Sequence, residues 1–355
     1  PVYVWDADNK VWKTETNYPF YDLKPERTDS WEVGLTMRFL KHFKLDVSYY
    51  NTKTYNQTFD PQISVSSGYS TLYVQTGSVR NRGVELALGY DNNWGKFSWS
   101  SNFTFSANQN RILELVDNYR HPETGQLITK DRLDVGGLNQ AHFILKKGGS
   151  LGDLYSIIDL KRDANGHVYV DENNQIYTVS ENLDDIKLGS VFPKANMAWR
   201  NDFRYGNFRF GFMVSARLGG IVYSATQAQL DYYGVSEDSA IARDAGGLAI
   251  NGGSLLPAYN WYEVVGGKSI PQYYTYSATN VRLQEASIGY TIPKKKLGNV
   301  CEITLSLVGR NLWMIYNKAP FDPEAVATTG NYYQGIDYFM MPSTRNIGFN
   351  LRLKF

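Results

Sequence analysis

From Asn346 to Phe355 the chain alternates without an error: Ile347, Phe349, Leu351, Leu353 and Phe355 fall on one face, and Asn346, Gly348, Asn350, Arg352 and Lys354 on the other. Side chains of an extended strand point alternately to opposite faces, so this pattern demands a sheet with one apolar and one polar side. The pattern recurs. At 207–218, Phe208, Phe210, Phe212, Val214, Ala216 and Leu218 oppose Arg209, Gly211, Met213, Ser215 and Arg217. Runs at 30–40, 43–52, 82–91, 96–108, 194–205 and 300–311 fit the same template, and 343–355 is the last. The run at 279–292 slips phase near Gln284-Glu285, which a β-bulge explains. Nine strands are predicted, and the fold class is all-β.

The connections alternate too. Short turns are predicted near Lys41-His42 and at 92–96, 206–207 and 293–299, and long segments at about 57–79, 109–193, 220–278 and 313–342. Short, long, short, long is the habit of an antiparallel transmembrane β-barrel, with tight periplasmic turns and long external loops. Strands of about ten residues tilted near 40° cover the roughly 25 Å apolar band of such a barrel. A soluble sandwich is the competing reading, but it does not sort its connections by side. No stretch approaches the roughly eighteen consecutive apolar residues of a helical span, and mean hydropathy is -0.40.

Charge narrows the partners. The 36 basic and 35 acidic side chains leave a net charge of +1, which gives no electrostatic footprint for nucleic acid. Cys301 is the one cysteine, so neither an internal disulfide nor a cysteine metal site is expected. The first residues show no basic segment followed by an apolar one, so no signal peptide is expected within this sequence. An odd number of strands would leave two sheet edges open in lipid, so the rest of the wall is expected from upstream sequence.

Several stretches resemble the C-terminal half of SusC/RagA-type TonB-dependent transporters, the nutrient importers of Bacteroidetes outer membranes. They begin with Leu23-Lys24-Pro25-Glu26-Arg27-Thr28-Asp29-Ser30-Trp31-Glu32-Val33-Gly34-Leu35 and Ser67-Gly68-Tyr69. Gly77-Ser78-Val79-Arg80-Asn81-Arg82-Gly83-Val84-Glu85-Leu86 and Val191-Phe192-Pro193-Lys194 follow. Then come Ala286-Ser287-Ile288-Gly289-Tyr290-Thr291-Ile292-Pro293, Gly309-Arg310-Asn311-Leu312-Trp313 and Asp322-Pro323-Glu324, before the terminal Leu351-Arg352-Leu353-Lys354-Phe355. Each motif alone is weak; together they run in the family's order across nearly the whole chain. The resemblance implies a 22-stranded barrel with an N-terminal plug, energised by TonB and capped by a SusD-like surface lipoprotein. Residues 1–28 then read as an extracellular loop segment, and 29–355 as the C-terminal part of the barrel, with plug and earlier strands absent. By resemblance to outer-membrane barrels generally, Phe355 serves as the barrel-assembly signal.

An enzyme would need clustered reactive groups, and the sequence argues against one. His42, His121, His142 and His167 are scattered, without metal-ligand spacing. Asp163-Ala164-Asn165-Gly166 with Asp171 invites a calcium-loop reading, but the Gly falls two places too early for an EF-hand. An Asn-Gly hairpin turn between Lys161 and Val170 is the simpler account. Gly219-Gly220, Gly246-Gly247, Gly252-Gly253 and Gly266-Gly267 lack a strand-to-helix context and read as loop flexibility. Cys301 reads as a small lipid-facing residue. No cofactor is implied.

The external segments are rich in rings: Tyr232-Tyr233, Tyr259, Trp261-Tyr262, Tyr273-Tyr274, Tyr276, Trp313, Tyr316, Tyr332-Tyr333 and Tyr338. Such rings can stack on sugar faces or pack on peptide side chains; they can equally form an interface belt or pack the loops together. With formal charge there sparse and mixed, they suit a neutral, hydroxyl- or amide-rich polymer better than an anionic iron chelate. The expected substrate is an oligosaccharide, ahead of an oligopeptide, with Trp261, Tyr262, Tyr273, Tyr274 and Tyr333 as contacts. The lumen face is expected to carry Glu32, Arg38, Asp46, Glu85, Arg200, Asp202, Arg204, Arg209, Arg217, Glu302, Arg310, Arg345 and Arg352. The function expected is active import of a large nutrient across the outer membrane; a passive porin and a surface adhesin are the alternatives.

Overall fold

One antiparallel sheet of nine strands runs through the chain, each strand bonded to its sequence neighbour in the wall. In chain order these are β1 (Arg27–Phe39), β2 (Phe43–Phe59), β3 (Val74–Trp94), β4 (Phe97–Glu114), β5 (Ala195–Tyr205), β6 (Phe208–Leu218), β7 (Asn280–Ile292), β8 (Glu302–Asn317) and β9 (Asn346–Lys354). The computed structural model describes all residues except 1–2, 7–8, 15–16, 19–23, 60–70, 73, 121–125, 182, 254 and 329–332. The Ser67-Gly68-Tyr69 motif, His121 and Tyr332 therefore lie outside the described residues. The nine expected strands are all present.

Tight turns join β1–β2, β3–β4 and β5–β6 at one end, where a short connection holding a 3-10 turn at Lys294–Leu297 also joins β7 to β8. Trp94 pairs with Phe97 and Tyr205 with Phe208, leaving two-residue loops. Gly95 and Gly206 open these loops at φ of 61° and 57°, a left-handed conformation that costs glycine little. The opposite end carries all the long connections. Along β7 the register shifts between Leu283 and Glu285 against both neighbours, so the expected bulge is real. It resets the phase, placing Glu285 opposite Met213 on the polar face.

The two faces differ as the alternation requires. Phe210 pairs with Ile288, and Ile288 with Leu307, forming an apolar row across three strands. Arg209, Gly289, Ser306 and Asn350 form the adjoining polar row. Phe210 is 47% exposed and Leu305 55% exposed, an apolar surface suited to lipid.

Four strands outrun the expectation. β2, β3, β4 and β8 hold 17, 21, 18 and 16 residues. At about 3.3 Å per residue β3 is roughly 70 Å long, about twice what a tilted strand needs to cross an apolar band of some 25 Å. Its extension is held by polar pairs: Arg82 Nε donates to Gln109 Oε1 at 2.7 Å, and Asn108 Nδ2 to Asn81 Oδ1 at 3.2 Å. Trp313 and Tyr316, expected in a loop, belong to the extension of β8.

The buried hydrophobic core sits in the long connections. The segment between β4 and β5 folds into a four-stranded antiparallel sheet at 132–138, 141–146, 153–156 and 186–190. The segment between β6 and β7 supplies helices α1 (Ala225–Tyr232), α2 (Glu237–Asp244) and α3 (Ala258–Val265). Ser224 and Ser236 cap α1 and α2, accepting from the backbone N–H of Gln227 and Ser239. A short parallel pairing of 223–224 with 336–337 ties the last loop to this body. Phe143, Leu145, Leu154, Tyr223, Ile270, Tyr274 and Ile336 are fully or nearly fully buried within it. Each such side chain contributes about 1.5–3 kcal/mol of burial, so these loops form a folded body. The glycine pairs read as flexibility act partly as packing devices. A Cβ on Gly266 would meet Ala228 O at 2.9 Å, so this glycine permits the close approach of α3 to α1.

The segment 163–167 is the expected hairpin turn: Gly166 N donates to Asp163 O, and Arg162 bridges Val168 in antiparallel fashion. Among the described residues, no group of three or more His, Cys, Asp or Glu is placed to hold a metal ion.

Candidate functional site

The polar face of the wall carries a charged row. Met213 stands opposite both Arg200 and Glu285, and Glu285 opposite Arg310, so the register spans β5 to β8. Arg200 Nε lies 2.8 Å from Asp202, its Nη1 lies 3.4 Å from Glu285, and Arg310 Nε lies 3.2 Å from the other Glu285 oxygen. Earlier in the wall, Thr36 Oγ1 donates to Asp46 at 2.7 Å and Lys44 pairs with Asp46 at 2.9 Å. The expected lumen charges are thus in part paired with one another. The face is concave there: a hollow of about 780 Å³ is lined by Glu32, Thr36, Asp46, Ser48, Glu85 and Ser106. Towards the long loops a second hollow, about 460 Å³, is lined by Tyr50, Asn81, Asn108, Asn110 and Phe192.

At the junction of wall and loops stands a buried ion cluster that the sequence reading did not find. Arg282, on β7, is 4% exposed and pairs with Asp322 at 2.8 Å and Glu324 at 3.0 Å. Its Nη1 also donates to Asn311 Oδ1 at 3.2 Å. Ser343 donates to Asp322 and Asn311 Nδ2 donates to Ser343 Oγ, closing the circuit. Burial alone would raise the Asp322 carboxyl, but hydrogen bonds from Arg282 and Ser343 outweigh it and hold it below the ordinary range. The Asp322-Pro323-Glu324 motif thereby fastens the last loop to the wall. Arg282 sits before the bulge, where the phase slip masked its register.

Two titratable pairs brace the four-stranded sheet. Arg132 donates two hydrogen bonds to Asp185, at 2.6 and 2.8 Å, with Lys146 at 3.0 Å from the same carboxylate. These bonds pull the Asp185 carboxyl down to about 2. His142 Nδ1 lies 2.9 Å from Asp134, and that hydrogen bond raises the imidazole above its usual value.

The five expected contact residues divide. Trp261 and Tyr262 lie on α3, each 9% exposed, and Tyr274 is 2% exposed. Tyr273, half-buried, meets Trp261 edge-on with ring centroids 5.3 Å apart. Burial pushes the Tyr262 phenol up to about 12, and pushes Tyr274 up further beside Asp231. These four rings pack the loop body. Tyr333, 38% exposed and edge-on to Phe143, keeps a face open to solvent. A pocket of about 720 Å³ lies among the three helices, lined by Asp231, Tyr232, Tyr233, Tyr259, Tyr262 and Glu263 with other residues of that segment. Its open rings come from Tyr232, Tyr233 and Tyr259, which are 45%, 71% and 71% exposed. Sequence reading saw these rings but not that a folded loop body gathers them around one hollow. Phe355 ends the chain beyond β9, exposed.

A family model described as "TonB dependent receptor-like, beta-barrel" matches residues 10–312. TonB-dependent receptor P3 of Formosa agariphila is 25% identical over 96% of this chain and 35% of its own length. TonB-dependent receptor P26 of the same organism is 26% identical over 94% of this chain and 35% of its own. The chain therefore spans about a third of the length of these curated relatives. Among solved structures, the RagAB peptide importer in its open-open state aligns with a TM-score of 0.65 at 17% identity, covering 94% of this chain and 35% of that one. The closed-closed state aligns with a TM-score of 0.64 at 16% identity, covering 93% and 35%. At these identities the likeness is one of fold.

Proposed function

The chain belongs to the TonB-dependent receptor β-barrel family, and from that premise we propose that it forms wall and external loops of an active importer of large nutrients. It is an outer-membrane β-barrel chain. The observation that carries the proposal is the pairing of an apolar outer face with a charged, concave inner one, under a folded body of external loops. The imported nutrient is an oligosaccharide in this reading, drawn through a wider barrel with energy from TonB and covered by a SusD-like lipoprotein lid. The stretch expected as an external loop segment, residues 1–28, gives up Arg27 and Thr28 to β1; in this reading what precedes them lies outside, and earlier strands and a plug complete the barrel.

Support for a polymer substrate comes from the rings of the loop body and from polar hollows lined by Asn, Ser and Thr. Direct contact is assigned to Tyr333 among the open rings; Trp261, Tyr262, Tyr273 and Tyr274 shape the body that presents it. An oligopeptide is the second substrate reading, the solved RagAB neighbour being described as a peptide importer. Neither reading gives the chain a catalytic role. Phe355 is the assembly signal: its deletion should lower the amount of inserted protein and leave the ligand affinity of what inserts unchanged.

The substrate test is binding of neutral oligosaccharides and of peptides to the full-length transporter, with Tyr333→Ala and Tyr273→Ala beside the parent. Loss of oligosaccharide affinity in Tyr333→Ala is expected. Unchanged affinity for every ligand that the parent binds would remove these rings from the site.

A further inference from the structure

The pocket among α1, α2 and α3 has an electrostatic character that the transport reading does not use. Asp231 stands in the last turn of α1, where the helix dipole already places negative charge, and no basic residue occupies that turn. The residue is 5% exposed, and among the described residues no Lys, Arg or His forms an ion pair with it. Its hydrogen-bond donors are neutral: Gln227 Nε2 at 3.2 Å, with the hydroxyls of Ser236 and Tyr274. Burial, with Asp238 nearby as a like charge, raises its carboxyl above the ordinary range. The wall of the pocket adds Glu263, one turn on from Tyr259 along α3. The one cation in the lining, Arg243, donates to the neutral Gly234 O at 2.7 Å and pairs with neither Asp231 nor Glu263, so the lining holds two carboxylates against one guanidinium. Around this negative floor stand the open rings of Tyr232, Tyr233 and Tyr259, the first two edge-to-face at 5.0 Å. A carboxylate without a counter-ion, at a helix C-terminus, beneath aromatic rings, is an arrangement completed by a cation: the rings offer their negative faces and the carboxylate its charge.

We propose that this pocket, about 720 Å³ and floored by Asp231, binds a primary ammonium group on the imported polymer. The inference rests on the import reading and sharpens it, because it selects ligands that carry a free amine. That amine can come from a deacetylated amino sugar or from a lysine side chain. A neutral hexose polymer lacks it, and a phosphate or carboxylate ligand would be repelled.

Calorimetry on the full-length transporter tests this with paired probes: a glucosamine tetramer against its N-acetylated form, and an end-blocked lysine tetrapeptide against its Nε-acetyl form. In the parent the free amine should bind about tenfold more tightly than its acetylated twin, the scale of a charge-assisted hydrogen bond with a ring contact. Preference in the sugar pair alone or the peptide pair alone identifies the source of the amine and supports the site. Asp231→Asn should abolish the preference. Because Asp231 is buried, Glu263→Gln and Tyr259→Ala, both at exposed positions, serve as variants that spare the core; each should reduce the preference severalfold. Equal binding of free and acetylated probes by the parent, including no binding of either, would overturn the site, as would a preference that survives all three variants. The import reading is independent of this readout: energised uptake can fail while the amine preference persists, and the reverse.

Discussion

Single side chains decide which face of the wall meets which solvent. Phe210 and Ser306 lie two strands apart, on opposite faces of one sheet. Placing Arg at Phe210 should cost roughly 2–4 kcal/mol if the position lies near the bilayer midplane, and Arg at Ser306 much less. A folding or assembly titration in lipid reads the difference; equal tolerance at both positions would contradict the face assignment. Arg282 makes a second residue-scale claim. Removing Asp322 leaves a guanidinium that is 4% exposed with Glu324 as its one remaining carboxylate among the described residues, beside the amide oxygens of Asn280 and Asn311. Asp322→Ala should therefore destabilise the attachment of residues 318–345 by about 3–5 kcal/mol, seen as faster amide exchange confined to that loop. Exchange unchanged there would mean that the cluster does not fasten it. These residues were unequally legible in the sequence. Phe210 announced its face because its neighbours alternate cleanly, whereas Arg282 stands beside the bulge, where phase is lost.

At the scale of elements, all nine strands were readable wherever their faces differ in polarity, as in β6 and β9. Their outer extensions were not. Around Asn81, Arg82, Asn108 and Gln109 both faces are wet, so alternation carries no hydropathy signal even though the backbone remains extended. The sheet and helices of the loop body were missed for a different reason. Their elements run from two to eight residues, and their apolar side chains converge from segments far apart in sequence. That body should respond to pH through its sheet. The Asp185 carboxyl at about 2 lies below its unfolded value of 3.8, so its stabilisation is complete above pH 4 and is lost as pH falls towards 2. Discounted for the half-exposed Arg132, the contribution is about 1–2 kcal/mol. The raised His142 works in the opposite sense: its pairing with Asp134 stabilises below about pH 6.5 and is lost as pH rises through the folded value. Protection of the amides over 132–146, relative to their intrinsic exchange at each pH, should thus be greatest between these limits. An Arg132→Met variant should lose the acid-side dependence; if it keeps that dependence, the assignment to Asp185 is wrong.

For the whole molecule, the wall and the loop body divide the work. The wall spans the membrane with an apolar exterior, and its charges pair across strands on the inner side. The loop body has a core of its own and is fastened to the wall by Arg282 and by the short pairing of 223–224 with 336–337. Barrel class was legible because period-two alternation and one-sided turns are imposed by lipid on every strand. Substrate contacts were not, because a tyrosine that stacks on a sugar and one that packs a loop look alike in sequence; Tyr274 and Tyr333 differ only in burial. The central claim is energised import, and uptake of labelled oligosaccharide by cells carrying the full-length transporter, with and without functional TonB, tests it most directly. Accumulation should depend on both the transporter and TonB, falling to the background of transporter-deficient cells when TonB is lost. Uptake that persists at the parental rate without TonB would make the protein a passive pore and contradict the account.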